Sequence, residues 1–288
     1  MPSSMRPPSR PSRSRNVERR RRVTGDSALA TLWRHRWLWL GFVRRDITSR
    51  YLGSVGGMAW ALLHPLALLA IYALVFQAVF KVRFAELDQF PFVVFVATVL
   101  WPWMAFQEGL MRGTQAVVQH AALVKKVPFP HELLVYAAVT ATFAVQLLGY
   151  TLVCVLLGLM GQALHWTSLG WVLCWLVLLY VFTLALALGL ATVQVFLRDV
   201  EQVLSQVLMV LFYATPILYP LTLAPAWLQD IMRWNPLMQI LDALRQSLLF
   251  GLGSSALKVG VMAVAVLCLF WMTRRLFRRM SPYFEDMV

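Results

Sequence analysis

Thirty consecutive residues, numbers 51–80, contain no aspartate, glutamate, lysine or arginine, and this run restricts the chain to few kinds of fold. About 20 apolar residues of α-helix cross a hydrocarbon core roughly 30 Å thick. The run is therefore longer than one membrane crossing requires. Gly53, Gly56 and Gly57 indicate where the chain turns into the membrane, so we predict a first transmembrane helix over residues 57–80.

The composition of the whole chain favours a protein with several membrane spans. Of its 288 residues, 60% are hydrophobic and only 14% are charged, which excludes an ordinary soluble domain. This length supplies six spans with short loops and leaves no room for a soluble catalytic domain. We therefore predict an all-α membrane protein with six transmembrane helices.

The positions of the other spans follow from charged residues and prolines. Residues 133–197 carry no charge but are too long for one helix, so the turn between two spans is predicted at 161–168. Residues 221–254 are too polar to span and too apolar for a free loop, and re-entrant or interfacial helices are predicted there. The five further spans are predicted near 91–110, 133–160, 170–197, 202–219 and 255–273.

Both ends of the chain are basic. Residues 1–26 are rich in arginine, serine and proline and are predicted to be a disordered tail. In residues 27–56, apolar side chains recur every three or four positions among arginines and tryptophans, which is typical of an amphipathic helix in the lipid headgroup layer. Packing against cytoplasmic protein is the alternative for this segment. Residues 274–288 are predicted to be a cytoplasmic tail after the transmembrane domain of residues 57–273.

The distribution of basic residues predicts the orientation. With six spans, the amino terminus, the 112–132 loop, the 198–201 connection and the tail share one side, which holds 21 of the 26 lysines and arginines. That side is expected to be cytoplasmic, and both termini with it. The net charge of +13 is thus explained by orientation and anionic membrane lipids, and no nucleic-acid partner is expected.

Sequence motifs for chemistry on this chain are missing. No glycine is followed by lysine, so there is no phosphate-binding P-loop, and the three cysteines and five histidines show no metal-ligand spacing. No acidic residue lies in the middle of a predicted span, which argues against an ion-coupled carrier. Glu108, near the end of the second span, is predicted to pair with Arg112. We expect no catalytic residue, metal or cofactor here, and transport against a gradient would need energy from a partner.

Several segments, in order along the chain, resemble the ABC-2-type permeases that export O-antigen, capsular polysaccharide or teichoic acid. The segment RRDITSRYLGSVGGMAWALLHPLALLAIYALVF (44–76) is similar to the amino-terminal signature of that family. Further similarity lies in LVKKVPFPHELL (123–134), FLRDVEQVLSQVL (196–208), ATPILYP (214–220) and NPLMQILDALRQSLL (235–249).

The resemblance implies a homodimer of six-span subunits in the bacterial inner membrane, paired with two separate ABC ATPases that hold ATP and Mg. It also implies export of a glycan, often linked to a lipid pyrophosphate. A permease for drug or lipid efflux would have much the same architecture and is the alternative. A non-transporting scaffold or a glycan-processing membrane enzyme is a third hypothesis, which the dearth of polar residues in the spans disfavours.

Two groups of candidate residues belong to the cytoplasmic side. The loop 112–132 is predicted to hold a short helix from Gln115 to Lys126, ended by prolines, that docks into the ATPase; an ordinary solvated loop is the alternative. A lipid pyrophosphate would meet arginines before the first span, because the guanidinium suits phosphate geometry, although phospholipid contact or a salt bridge with Asp46 competes. The coupling residues are Val124, Lys125, Lys126, Pro128, Phe129 and Pro130, and the arginines are Arg44, Arg45 and Arg50.

Two further groups belong to the membrane and its outer side. A glycan path needs flat aromatic faces that stack on sugar rings, whereas packing and interfacial anchoring explain the same residue types in any membrane protein. The 221–254 segment is predicted to close the outer mouth, with a purely structural hairpin as the alternative. The path candidates are Trp60, Tyr72, Phe76, Trp103 and Phe106, and the gate candidates are Pro225, Asn235 and Pro236.

Overall fold

The computed structural model describes residues 27–51, 56–79, 91–162 and 164–288, and within these ranges the chain is helical and has no β-strand. The predicted disordered tail, residues 1–26, lies outside the described residues. The α-helices of the described ranges are α1 Ala28–Arg34, α2 Arg36–Tyr51, α3 Trp60–Ala73, α4 Phe92–Gln119, α5 Ala121–Lys126, α6 Glu132–Leu159, α7 Leu169–Phe196, α8 Val200–Ala214, α9 Ala226–Trp234, α10 Pro236–Phe250, α11 Ala256–Met280 and α12 Phe284–Met287.

Four helical segments of the described chain are long and apolar enough to cross a membrane by themselves: Phe92–Gln119, Glu132–Leu159, Trp166–Phe196 and Ala256–Met287. The shorter apolar helices Leu62–Phe76 and Val200–Ala214 occupy the predicted first and fifth spans. At 1.5 Å per residue, the 15 residues of α8 extend about 22 Å, which is less than the hydrocarbon thickness. The all-α membrane class is supported, and the total of six crossings stays a prediction.

Helix α4 lies at the centre of the bundle. It packs against α6, α7 and α10, while α7 also packs against α11 and α2 against α6. The side chains of Trp101 and Trp103 are each 1% exposed, so even the largest side chains of α4 are enclosed by neighbouring helices. The core of the described chain is therefore organised around the second predicted span.

The predicted end of that span, near residue 110, is wrong for the helix, which continues to Gln119. Gly113, Ala116 and Val117 are buried, so contacts with α6 and α7 sustain the helix beyond its most apolar part. Thr114 donates its hydroxyl to the carbonyl of Leu110 at 2.8 Å and needs no solvent. The short helix predicted from Gln115 is accordingly divided, because 115–119 complete α4 and α5 begins at Ala121 after a break at His120.

The segments predicted to be cytoplasmic meet at one end of the bundle. Glu132, at the start of α6, accepts from Arg274 of α11 at 3.1 Å, and Arg274 also donates to Thr31 of α1 at 3.3 Å. At the other end, the amide of His165 donates to the carbonyl of Leu248 at 2.9 Å. The arrangement agrees with the charge distribution, and the side of the membrane that each end faces stays a prediction.

The residues after 274 are not a loose tail. Helix α11 continues to Met280, and Phe284 is fully buried, with its ring centroid 5.2 Å from that of Phe277. His131 is hydrogen-bonded through Nδ1 to the hydroxyl of Ser281 at 2.9 Å. Burial lowers the pKa of His131, against a smaller opposing effect of the nearby Glu285 carboxylate. The carboxyl-terminal segment thus packs onto the end of the bundle beside α5.

The two interfacial predictions can be compared with the helices found there. The described part of segment 27–56 holds α1 and α2, and Trp33 and Trp37 are largely exposed, as a helix in contact with lipid or a partner requires. Segment 221–254 contains α9 and α10, as predicted, and α10 is largely buried against α4 and α7. The membrane depth of both segments stays a prediction.

Candidate functional site

A cavity of about 610 Å³ opens between α3, α4, α6 and α8. Its wall combines aromatic, sulfur-containing and aliphatic side chains with a small polar group at one end. The lining residues are Trp60, His64, Pro65, Leu68, Tyr72, Leu100, Trp103, Met104, Gln107, Glu108, Met111, Gln146, Met209, Phe212 and Tyr213.

Aromatic rings from three helices form one wall of the cavity. The ring of Tyr72 stacks on Phe212 with centroids 6.0 Å apart, and Trp103 tilts against the same Phe212 at 5.6 Å. The indole nitrogen of Trp103 donates to Gln107 Oε1 at 2.8 Å, which satisfies its polar atom and fixes the ring. Trp60 is 57% exposed at the margin, so its face is available to a ligand.

The polar end of the cavity is held by an ionic network between α2, α4 and α6. Glu108 Oε1 accepts from Arg50 Nη1 at 3.1 Å and from Arg112 Nε at 2.7 Å, and its Oε2 accepts from Gln146 Nε2 at 2.9 Å. The predicted pair of Glu108 and Arg112 is present, but it is one part of a larger network. Because α4 continues to Gln119, Glu108 lies well inside the helix rather than near its end.

Three of the five predicted path residues line this cavity, namely Trp60, Tyr72 and Trp103. The other two are not among the lining residues: Phe76 stacks on Phe92 at 5.3 Å, and Phe106, which is 2% exposed, stacks on Phe182 at 6.0 Å. For these two residues the structure shows the packing that was the alternative. Transport of a glycan past any of the five stays a prediction.

Sequence reasoning missed the polar members of the cavity, namely His64, Gln107 and Gln146. A signal was available for Gln146, because a glutamine is unusual within the 65 residues of 133–197 that carry no charge. A polar side chain inside a span must find a partner in the protein or line a wet cavity. Aromatic residues could be proposed as sugar contacts from their residue type alone. The glutamines could be proposed only from their positions inside predicted spans.

Comparison with known proteins agrees with this architecture. Residues 38–249 match the model of the family described as ABC-2 type transporter. The chain belongs to the ABC-2 type transporter family. The resemblance seen in the sequence motifs is thereby confirmed, and the chain is a transport permease rather than an enzyme.

Relatives of this ABC-2 permease include named export proteins. It is 34% identical over 191 residues, 66% of this chain and 71% of the relative, to the O-antigen export system permease protein RfbA of Myxococcus xanthus. It is 28% identical over 212 residues, 72% of this chain and 78% of the relative, to a protein of the same name from Klebsiella pneumoniae. The polysialic acid transport protein KpsM of Escherichia coli is 24% identical over 236 residues, 81% of this chain and 90% of the relative.

The loop that the ABC-2 resemblance assigns to ATPase coupling has an exposed and a buried face. Lys125, Lys126 and Pro128 are exposed, and Pro130 is half-buried. Val124 is 1% exposed and belongs to the core of the chain. Phe129 is half-buried, with its ring centroid 5.8 Å from that of Phe42 in α2. Docking of an ATPase stays a prediction, and the structure offers the two lysines for it, not Val124.

The three arginines predicted to meet a lipid pyrophosphate differ in their surroundings. Arg44 and Arg45 are exposed on α2. The side chain of Arg50 is 6% exposed and donates to Asp46 at 2.5 Å, to Glu108 and, at 2.7 Å, to the hydroxyl of Thr142. The salt bridge with Asp46, named as the alternative, is therefore present. Binding of a lipid pyrophosphate by these arginines stays a prediction.

The predicted gate residues set the starts of the two helices between the last spans. Pro225 directly precedes α9, and Pro236 is the first residue of α10. Asn235 Oδ1 accepts from the amide of Leu237 at 3.0 Å and caps α10. These residues lie at the bends of the segment, and closure of the outer mouth by it stays a prediction, as does the purely structural alternative.

A buried arginine at this end was missed by sequence reasoning. Arg245 of α10 is 5% exposed and donates to the carbonyls of Pro216 at 2.9 Å and Ile217 at 3.1 Å. Its guanidinium also lies 3.7 Å from the ring centroid of Phe95. Arg245 therefore ties α10 to α4 and to the turn after α8.

Proposed function

We propose that this ABC-2 permease is the membrane subunit of an ATP-driven exporter that moves a lipid-linked polysaccharide from the cytoplasm across the bacterial inner membrane. Two copies form the permease, and ATP with Mg is hydrolysed on a separate ABC ATPase. The names of its relatives, which concern O-antigen and polysialic acid, support a polysaccharide as the substrate.

The observation that carries the proposal is the composition of the cavity wall. A sugar ring presents an apolar face of C–H groups and a rim of hydroxyls, so its binding site combines flat aromatic surfaces with exchangeable hydrogen bonds. Trp60 and Tyr72 supply the aromatic surfaces, Trp103 packs against Phe212 in the same wall, and Gln107 and Gln146 also line the cavity. The combination of aromatic surfaces with a carboxylate and two glutamines suits a ligand rich in hydroxyl groups.

Replacing Trp60 or Tyr72 with alanine tests the proposal. Loss of a stacking face removes roughly 1 kcal/mol of ring contact, so we expect surface glycan to fall by roughly 2- to 10-fold. Trp60 is largely exposed, so the amount of membrane-inserted protein should not change. Surface glycan and protein level are measured together in a deletion strain that carries each variant.

Phe76→Ala is the matched control, because Phe76 also stacks on an aromatic ring but does not line the cavity. In this variant we expect glycan export and protein level to fall together, as for a packing residue. Equal losses of export and protein level in the Trp60 and Tyr72 variants would contradict a glycan path through this cavity.

A further inference from the structure

The described residues that line the cavity include one carboxylate and one imidazole but no lysine or arginine. Glu108 is the carboxylate, and His64 carries the imidazole. The nearest guanidinium groups, those of Arg50 and Arg112, donate to Glu108, and Arg50 also donates to Asp46. Two arginines and two carboxylates balance one another, so the network presents no uncompensated positive charge to a ligand.

The orientation of the Gln146 amide is fixed by this network. The carboxylate of Glu108 can only accept hydrogen bonds, so the amide nitrogen of Gln146 must face it, as it does at 2.9 Å. The amide oxygen then points elsewhere. Gln146 is 5% exposed, and no described residue donates a hydrogen bond to its buried Oε1.

The polar end of the cavity therefore contains hydrogen-bond acceptors with unused capacity. Gln146 Oε1 has no donor among the described residues, and Glu108 Oε2 has a second lone pair beyond the one used by Gln146, whereas Glu108 Oε1 already accepts from two arginines. A buried acceptor without a donor is costly, and a sugar hydroxyl would supply that donor. A carboxylate or phosphate on the sugar would bring further acceptors and a negative charge, would lose its hydration, and would meet no lysine or arginine among the described residues of the lining.

We propose that the end of the cavity formed by Glu108 and Gln146 is a hydroxyl-binding subsite that selects uncharged, hydroxyl-rich sugars and rejects acidic ones. The proposal rests on the proposed function, since it assumes that a glycan enters this cavity. It also separates this chain from an exporter of a polyanion such as polysialic acid. Discrimination between neutral and acidic sugars would arise from the acceptors present and equally from the lack of lysine and arginine among the described lining residues.

Binding of defined oligosaccharides to the purified full-length protein in nanodiscs tests this selection. A neutral mannose hexasaccharide and a sialic acid hexamer are titrated separately by calorimetry. We expect the neutral hexamer to bind at least tenfold more tightly. In Gln146→Leu, which removes the acceptor at similar volume, affinity for the neutral hexamer should fall by about tenfold.

A variant that should gain affinity for the acidic hexamer provides the second part of the test. Met209→Lys places a cation in the cavity wall, so affinity for the sialic acid hexamer should rise and the tenfold preference should narrow. Gln202→Lys is the matched control, because it makes the same charge change at an exposed position of α8 outside the lining. We expect this control to bind both hexamers as the unchanged protein does.

The outcomes separate the subsite from the glycan path. Equal affinity of the unchanged protein for both hexamers, or tighter binding of the acidic one, overturns the subsite and leaves the glycan path intact. The subsite is also overturned if Met209→Lys prefers the neutral hexamer over the acidic one by the same factor as the unchanged protein. Failure of both hexamers to bind also overturns the subsite. If, in addition, the Trp60 and Tyr72 variants export as much glycan per molecule of permease as the unchanged protein, the glycan path is overturned too.

Discussion

Gly113 lies where α4 packs closely against both α6 and α7. A Cβ atom built on this glycine would lie 2.7 Å from the Cβ of Ala187 and 2.9 Å from Cγ2 of Val139. Both contacts are shorter than van der Waals distances allow, and the Cβ of Ala187 cannot move without its helix. Small residues at such crossings let helix backbones pack closely in a membrane protein, where burial of apolar surface gives little drive.

Gly113→Ala should therefore lower the stability of the folded protein by about 1–3 kcal/mol, because the added methyl group forces the helices apart. Thermal unfolding in detergent, followed by tryptophan fluorescence, measures the change. Gly170→Ala is the control, since a Cβ there meets nothing within 4 Å and alanine favours the helix. Equal melting temperatures for the two variants would show that the crossing tolerates a methyl group.

Helix α5 and the prolines that follow it form an element with two distinct faces. Val124 is packed inside the chain, whereas the side chains of Lys125 and Lys126 project from the end where α1, α6 and α11 meet. Phe42 on α2 and the carboxyl-terminal α12 support the element from either side. This geometry suits a rigid, positively charged protrusion, formed by α5, that docks into another protein.

Reversing both charges, Lys125→Glu with Lys126→Glu, should reduce the amount of ATPase that co-purifies with the permease several-fold. The reason is that exposed charges at an interface attract or repel the partner without disturbing the fold. Lys258→Glu, exposed at the start of α11, is a control with the same kind of charge change. Unchanged complex formation and export in the double variant would exclude this element as the coupling site.

Over the whole molecule, the contacts divide the loops into two sets. The amino-terminal helices, the 120–131 loop and the carboxyl terminus meet at one end, and the 161–168 turn meets the end of α10 at the other. Of the 16 lysines and arginines in the described ranges, 11 belong to the first set. The positive-inside rule therefore predicts that the first end faces the cytoplasm.

Chemical labelling of single cysteines tests this orientation. After replacement of Cys154, Cys174 and Cys268, a cysteine is introduced as Thr167→Cys or Lys126→Cys, both at exposed positions. A membrane-impermeant maleimide should label the first in intact spheroplasts and the second only after lysis. Labelling in the reverse order would invert the predicted topology, and export activity of each variant serves as the control for correct folding.

The sequence by itself determined the positions of two long helices closely. The predicted spans 133–160 and 170–197 differ from α6 and α7 by one residue at each end, because uncharged length, prolines and charged flanks are local properties. The grouping of loops at one end could also be predicted, since it follows from counting spans and basic residues. The aromatic wall was recognised in part, through Trp60, Tyr72 and Trp103.

Only the tertiary structure decided the length of α4 and the character of the site. The polar end of the cavity joins Arg50, Glu108 and Gln146, which lie 38 to 96 positions apart in the chain, and no local pattern indicates such a meeting. Likewise, the inward orientation of Val124 depends on the helices that enclose it. Helix formation and membrane insertion depend on nearby residues, whereas a cavity and its hydrogen bonds depend on which distant faces the packing brings together.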